Sequence, residues 1–388
     1  MMARQMLQEN EVVDLARRLI GRPSQQTDLM EAEPEVQGFI RECAAPILQD
    51  LGLNGRFDAM GNWIGRFGAG AGPSLLIVTY AMTHPAASMR DPFKAAVVDD
   101  DGRPALRGRG AAEQKGAMAA VFFAVAKLVA EGGLKGDIML AVSSAGETGR
   151  HDAIKMIVGA LDRKPDLAIL ALGTNSRVSL GNKGRIDFDI VIRDRSAHSS
   201  TPWLAVDAIA GARRVLDALA DIELPTREHP HLGRPTLTPT FILSGPKATH
   251  TIQNMVRITF DRRLLPGEQP DDALVSIGGV LEKLQGPQTY ELVQGPFMYP
   301  AEIAPSGRLV TLIEASHVRV GLPAPQTFFS HGALDAGYLI VNGIEATMWG
   351  PGAMELFHTD DERIPIGDIV AVGKGYHAFL AHALRDGP

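Results

Sequence analysis

Several loops that carry histidine and carboxylate side chains follow short apolar runs of the sequence. His84 comes after the run 75–78, Glu147 follows the run 137–142, and His358 lies in a polar loop near the carboxyl terminus. In open α/β sheets, ligands bind beyond the carboxyl ends of the strands. If the apolar runs are strands of one sheet, these loops are where we expect the functional site.

The composition restricts the chemistry that such loops can perform. Cys43 is the only cysteine, which excludes a cysteine-based metal site and leaves His, Asp and Glu as possible metal ligands. The net charge of −7 gives no reason to expect binding to nucleic acid or to a membrane surface. The first residues are too charged for a signal-peptide core, and no apolar run is long enough to span a bilayer, so a cytoplasmic protein is expected.

The elements that must position the loops alternate between helix and strand patterns. The predicted helices cover about 9–20, 35–51, 116–129 and 366–384, and the predicted strands cover 75–78, 137–142 and 166–170. Strands that alternate with helices predict an α/β fold, with a mostly parallel sheet sandwiched by helices.

The pattern changes near residue 185, where apolar and polar residues begin to alternate, as in a strand with one face in water. From there to about residue 284 the order of elements predicts an inserted β-α-β-β-α-β unit of the α+β type. The length of 388 residues suits two or three domains. We therefore predict a discontinuous catalytic domain over 1–182 and 293–388, and a lid or dimerisation domain over 183–292.

Four stretches, taken in order, carry a resemblance to a known family. They are the loop 108–116, the segment 197–202, the segment 261–268 and the tail 349–362. Their order and spacing resemble the M20-like family of aminoacylases, acetylornithine deacetylases, succinyl-diaminopimelate desuccinylases and carboxypeptidase G. The resemblance implies a zinc-peptidase-like α/β domain with an inserted lid, which often forms dimers.

The resemblance also implies a metal centre, from which this sequence departs. The family typically binds two divalent ions through five side chains. The ligands private to the first ion fall on Tyr80 and Leu172, and the aspartate that partners the histidine of that site falls on Met82. Leucine cannot bind a hard cation, so the first site is expected to be lost. Tyr80 and Leu172 would instead line a less polar place that contacts substrate.

The ligands of the second ion are retained and fall on Glu113, Glu147 and His358. Two carboxylates and an imidazole suit one divalent ion, manganese or zinc, with open positions for water and substrate. The alternative is that the three are solvated loop residues. Because together they complete one site, we predict that they bind a metal.

The catalytic base of the family, the first Glu of a Glu-Glu pair, falls on Gly146. A metal ion alone lowers the pKa of a bound water toward ~7, so the reaction does not strictly require that base. A replacement base is also conceivable, and His84, His151 and His331 are candidates for it. For each of these histidines, a structural or surface role is the alternative.

The substrate side of the family pattern is retained in the segment predicted as the lid. The resemblance implies that His198 stabilises the oxyanion, that Asn254 assists it, and that Arg263 receives a substrate carboxylate. The alternatives are a helix-cap neighbour for His198 and a surface salt bridge for Arg263. Lys115 is expected to be a surface charge.

These assignments predict a single-metal hydrolase that cleaves a C–N bond of a small carboxylate-bearing substrate, as a homodimer or higher homo-oligomer. Both amide deacylation and aromatic deamination of the nitroanthranilate type fit the resemblance. The alternative is a non-catalytic relative that binds a carboxylate ligand, and an acyl transferase is a third possibility.

Overall fold

The computed structural model describes residues 9–68, 70, 72–225 and 227–386. The chain forms two compact units. One contains the segments up to Leu180, Ile303–Phe328 and the chain from Tyr338 onward, and we call it the α/β unit. The other contains Gly181–Glu302 and Phe329–Gly337, and we call it the inserted unit. Among all the residues that the structure describes, in both units, no helix is long and apolar enough to cross a membrane.

The strands are β1 (Arg56–Phe57), β2 (Trp63–Gly68), β3 (Ser74–Tyr80), β4 (Ala96–Asp100), β5 (Arg103–Arg107), β6 (Asp137–Ser143), β7 (Leu167–Ala171), β8 (Val178–Asn182), β9 (Gly184–Arg193), β10 (Thr236–Gly245), β11 (Met255–Leu264), β12 (Thr289–Met298), β13 (Ala301–Glu302), β14 (Thr327–Ser330), β15 (Glu345–Met348) and β16 (Arg363–Pro365).

The α-helices are α1 (Glu9–Ile20), α2 (Pro34–Phe39), α3 (Ala45–Asp50), α4 (Gly116–Glu131), α5 (Asp152–Gly159), α6 (Ala208–Ala220), α7 (Pro270–Leu281), α8 (Arg308–Arg319), α9 (Ala336–Val341) and α10 (Ile366–Ala381). Short π-helical turns cover Ile40–Ala44, Ala111–Lys115 and His382–Asp386. The first of these lies between α2 and α3, where the sequence predicts one continuous helix.

The main sheet of the α/β unit has the strand order β1-β2-β6-β3-β7-β15. Strands β6, β3, β7 and β15 are parallel to their neighbours in that set, whereas β1 and β2 form an antiparallel edge. Every residue of β3, β6 and β7 is buried. This explains their unbroken apolar sequences, since both faces of the sheet are covered. The α/β class and the mostly parallel sheet are confirmed.

The register of the parallel strands places the loops predicted to carry the site at one edge of this sheet. Tyr80 pairs with Ser143 at the end of β6, and Thr79 pairs with Ala171 at the end of β7. Tyr80, the last residue of β3, and Leu172, which directly follows β7, therefore lie at the same level of the sheet. The loop that contains Glu147 begins at that level too.

The inserted unit is an antiparallel sheet of order β10-β11-β9-β12, with α6 and α7 packed on one face. Its core includes Phe188 and Phe260, whose rings stack at 5.3 Å. The order of elements is the β-α-β-β-α-β order expected. The expected boundary at 292 would cut β12, which pairs with β9 along almost its whole length. The inserted unit therefore extends to Glu302, and it also takes in Phe329–Gly337.

Candidate metal centre

Glu113, Glu147 and His358 converge in the α/β unit. Each offers one ligand atom, and these atoms lie within 4.8 Å of one another. The Nε2 atom of His358 is 3.2 Å from Glu113 Oε2 and 3.3 Å from Glu147 Oε2. The three residues are far apart in the sequence, so the fold brings their loops together.

The spacing of these atoms fits a single bound ion. Metal bonds of about 2.0–2.2 Å in a tetrahedral arrangement separate neighbouring ligand atoms by roughly 3.3–3.6 Å. The two distances from His358 Nε2, 3.2 and 3.3 Å, lie just below and at the lower limit of that range. Two carboxylates and an imidazole are also a donor set that zinc and manganese accept.

The close approach of the side chains, together with burial, shifts the pKa values of His358 and Glu113. Hydrogen bonds to Glu113 and Glu147 raise the pKa of His358 to about 10. Burial raises the pKa of Glu113 to about 7, against the opposing effect of the hydrogen bond from His358. These contacts favour a protonated His358 at neutral pH. Because a ligating imidazole must be neutral, an ion that binds here displaces that proton.

Glu113 is placed by the π-helical turn Ala111–Lys115, which directly precedes α4. Gly110 precedes the turn with a φ of +77°, and a side chain there would meet Thr83, which explains the glycine. The carbonyl of Glu113 accepts a hydrogen bond from the N–H of Gly173, at 2.9 Å. The turn is thus tied to the loop that follows β7.

Glu362 stabilises this turn through hydrogen bonds to its backbone. The sequence assigns no role to this residue. Its buried carboxylate accepts hydrogen bonds from the N–H groups of Gly110, Ala112 and Glu113, at 2.8, 3.0 and 3.2 Å. Arg109, also buried, donates to the same carboxylate at 3.0 Å. Glu362 lies in the same tail as His358, but only the fold reveals that it reaches the loop 108–116.

Arg109 connects three of the loops at the centre. Besides Glu362, its guanidinium donates to the carbonyl of Thr359, beside His358, and to the carbonyl of Ala86, two residues after His84. The sequence suggested that this arginine belongs to a characteristic loop without indicating what it binds. A buried cation with this set of acceptors fixes the relative positions of the loops.

Glu147 is held by two glutamine side chains. Gln26 Nε2 donates to its backbone carbonyl at 2.7 Å, and Gln114 Nε2 donates to its side-chain oxygen Oε1 at 2.9 Å. Neither glutamine was singled out from the sequence, because an amide side chain carries no signal of its own.

His358 adopts a left-handed backbone conformation, with a φ of +62°. This conformation is uncommon for residues other than glycine and is found more often at functional sites. Its ring stacks on that of His84, with centroids 4.2 Å apart and planes inclined by 16°. The stack places His84 beside the cluster.

Of the three candidate bases, His84 is therefore the one in contact with the cluster. Its Nδ1 donates to the carbonyl of Pro85 at 3.0 Å, so Nε2 carries the lone pair of the neutral ring. His151 is buried and packs against Tyr338. His331 is exposed and belongs to the inserted unit.

Tyr80, Met82 and Leu172 are all buried at the carboxyl-terminal edge of the sheet. Gly146 packs against the backbone of Met82, and a Cβ atom at Gly146 would lie 2.3 Å from the Met82 carbonyl oxygen. The position that carries the base in the family therefore has no space for a side chain unless the Met82 backbone moves.

His198 and Asn254 lie in the inserted unit. The Nδ1 atom of His198 accepts a hydrogen bond from the N–H of Ser200 at 3.2 Å. In the neutral ring the proton must then be on Nε2, which makes this exposed atom a hydrogen-bond donor. Asn254 immediately precedes β11, and its carbonyl accepts from the N–H of Asp194.

Arg263, at the end of β11, makes the salt bridge that was considered as the alternative to substrate binding. Its Nε and Nη2 atoms donate to the two oxygens of Asp261 at 2.8 and 3.0 Å. Arg185, its cross-strand partner, approaches the same carboxylate at 3.3 Å. A substrate carboxylate would therefore have to approach the Nη1 side of Arg263.

Lys115 is not a surface charge, and that expectation is wrong. Its side chain is fully buried, with Nζ 4.8 Å from the centre of the Phe39 ring. Nζ also donates to the carbonyl of Arg22 at 2.6 Å, and burial lowers the pKa of the amine to about 7. The neighbouring helices cover this end of the turn, which the sequence of the loop alone does not reveal.

Comparisons with known proteins confirm the family resemblance and the fold. Residues 83–382 match the family described as Peptidase family M20/M25/M40. An acetylornithine deacetylase from Myxococcus xanthus is 30% identical over 310 residues, covering 76% of this chain and 76% of its own.

Two solved structures have the same fold. An M20 family metallo-carboxypeptidase from Sulfolobus solfataricus superposes with a TM-score of 0.77 at 18% identity, over 95% of this chain and 98% of its own. A dinuclear metal-binding peptidase of the M20 family from Bacillus subtilis gives a TM-score of 0.68 at 14% identity, over 98% and 99%. With a family match that spans more than three quarters of its length, the chain belongs to peptidase family M20/M25/M40.

Proposed function

We propose that this family member is a hydrolase that uses one divalent ion, manganese or zinc, to cleave a C–N bond in a small carboxylate-bearing substrate. Glu113, Glu147 and His358 would hold the ion. The observation that carries the proposal is the convergence of these three donors, whose ligand atoms lie within 4.8 Å of one another. At the neighbouring strand ends, Tyr80 and Leu172 offer no comparable set of ligands.

When bound, the ion would act as a Lewis acid and would lower the pKa of a bound water. The remaining work belongs to the side chains. His198 would donate a hydrogen bond from Nε2–H to the oxyanion that develops as water attacks, with Asn254 assisting. One well-placed donor of this kind is worth several kcal/mol, about 2.7–4. Arg263 would orient the substrate by binding its carboxylate.

Two reactions share this chemistry. In amide deacylation, water cleaves an acyl C–N bond and gives a carboxylic acid and an amine. In aromatic deamination, water replaces the amino group on a ring carbon and ammonia leaves. The acetylornithine deacetylase relative supports the first. The replacement of the first-site residues by Tyr80, Met82 and Leu172 supports the second, because it would make that position less polar and better suited to a flat ring.

A non-catalytic relative that binds a carboxylate ligand is the alternative. The observation that favours it is the packing of Gly146 against the Met82 backbone, which leaves no side chain where the family has its base. The retained donor set opposes it, since a pure carboxylate binder has no need for two carboxylates and an imidazole at metal-binding distance.

The test is to load the purified full chain with zinc or manganese and to offer two substrate panels. One contains N-acyl amino acids, and the other contains aminobenzoates, including nitro-substituted ones. We expect release of carboxylic acid from the first or of ammonia from the second, and loss of that activity in Glu147→Ala. Metal-loaded protein that binds these carboxylates without turning any of them over would favour the non-catalytic alternative.

A further inference from the structure

The two carboxylate oxygens of Glu147 face different groups. Oε2 lies 3.3 Å from His358 Nε2, within the cluster of proposed ligands. Oε1 instead accepts the hydrogen bond from Gln114 Nε2 at 2.9 Å. The carboxylate is therefore divided between the cluster and an amide that lies outside it.

Gln114 is well placed to act on this carboxylate. It is almost fully buried, and it belongs to the same π-helical turn that carries Glu113. Its backbone N–H donates to the carbonyl of Gly110 at 3.2 Å, inside the turn. One short turn thus provides a proposed ligand, Glu113, and from the next residue a hydrogen-bond donor to a second proposed ligand, Glu147.

We propose that Gln114 is a positioning residue that holds Glu147 with one oxygen, Oε2, directed at the cluster it forms with Glu113 and His358. This inference rests on the proposed metal centre. An ionised carboxylate only accepts hydrogen bonds, so the amide must present its NH2 group to Oε1. The terminal torsion of a Glu side chain otherwise has a broad distribution of angles, and this hydrogen bond restricts the rotation of the Glu147 carboxylate about it.

The consequence is a stronger and more selective site. A partner that fixes the orientation of a ligand typically changes metal affinity by 10–100-fold when it is removed. Without Gln114, the Glu147 carboxylate is free to rotate. Metal binding must then supply the free energy that fixes its orientation. Gln114 does not contact the metal or the substrate in this account and acts only through Glu147.

The experiment replaces Gln114 with Met, which has a similar volume and no N–H donor. Metal-free full-length parent and Gln114→Met are titrated with Zn²⁺ against a chromophoric chelator. We expect the dissociation constant to rise by 10–100-fold. Gln288→Met is the matched control, because Gln288 is a buried amide of the inserted unit that donates to the carbonyl of Asp207. It should bind Zn²⁺ like the parent.

A second variant covers the case in which Gln114→Met does not fold. Gln114→Asn keeps the amide but is one methylene too short to reach Oε1, so it should also weaken Zn²⁺ binding while the metal-free protein melts near the parent temperature. Parent-like affinity in a folded Gln114 variant overturns the inference, as does an equal loss in Gln288→Met. A parent that binds no Zn²⁺ overturns the proposed function instead, so the two failures are distinguishable.

Discussion

Replacing Glu362 with Leu should destabilise the α/β unit strongly. The substitution keeps the volume but removes the acceptor shared by three backbone N–H groups and by Arg109. The Arg109 side chain is only 1% exposed, so its cation would be left buried without its partner. Breaking a buried pair in this way costs about 3–5 kcal/mol, or roughly 10 °C in melting temperature.

Urea denaturation followed by tryptophan fluorescence measures this loss. Asp368→Asn is the control, since Asp368 pairs with Arg103 at 3.4 Å where both side chains are much more exposed. Such a pair contributes about 0–1 kcal/mol.

The double variant Arg109→Met with Glu362→Leu separates the pair from its parts. Burial raises the pKa of Glu362 although its N–H partners and Arg109 lower it, so burial offsets much of what the pair gains. Removing both charges should therefore cost less than Glu362→Leu alone. The reasoning is refuted if Glu362→Leu lies within about 1 kcal/mol of the parent, or if the double variant is the less stable of the two.

Three further outcomes are expected. Glu147→Ala should lose its metal, because the two remaining ligands hold a divalent ion poorly. Leu172→Ala should keep the metal and change substrate preference instead. Equal metal content in the parent and in Glu147→Ala would contradict the proposed site. Phe241→Lys should dissociate the expected homo-oligomer, because Phe241 is 48% exposed on the edge strand β10; light scattering that shows an unchanged mass would exclude that edge as the contact. Burial lowers the pKa of His317, so its contribution to stability is present above the ordinary value of 6.5 and is lost as the pH falls below it. His317→Gln should thus lose less stability than the parent between pH 7 and 5.5, and equal losses in urea titrations would disprove this.

The sequence predicted several long helices, the buried strands and the order of elements in the inserted unit, because their signals are local. The apolar runs of β3, β6 and β7 are unbroken since both faces are buried, and the alternation in β9 reflects one wet face. The domain boundary was predicted less well. It was placed at residue 292, within β12, whose pairing with β9 continues to Met298.

The supporting contacts of the site were not predictable. Gln114, Arg109 and Glu362 act through partners up to 253 residues away in sequence, which no local pattern encodes. Lys115 was misjudged for the same reason, since its burial depends on Phe39 from a distant helix. By contrast, Glu113, Glu147 and His358 could be grouped in advance, because the resemblance to the family supplied the long-range relation.

Metal analysis of the purified full chain tests the central claim most directly. After incubation with zinc or manganese and removal of the excess, the account predicts about one tightly bound ion per chain. Two ions per chain would contradict it, because the positions of Tyr80 and Leu172 would then not have lost a metal site. A chain that retains no ion would contradict it equally.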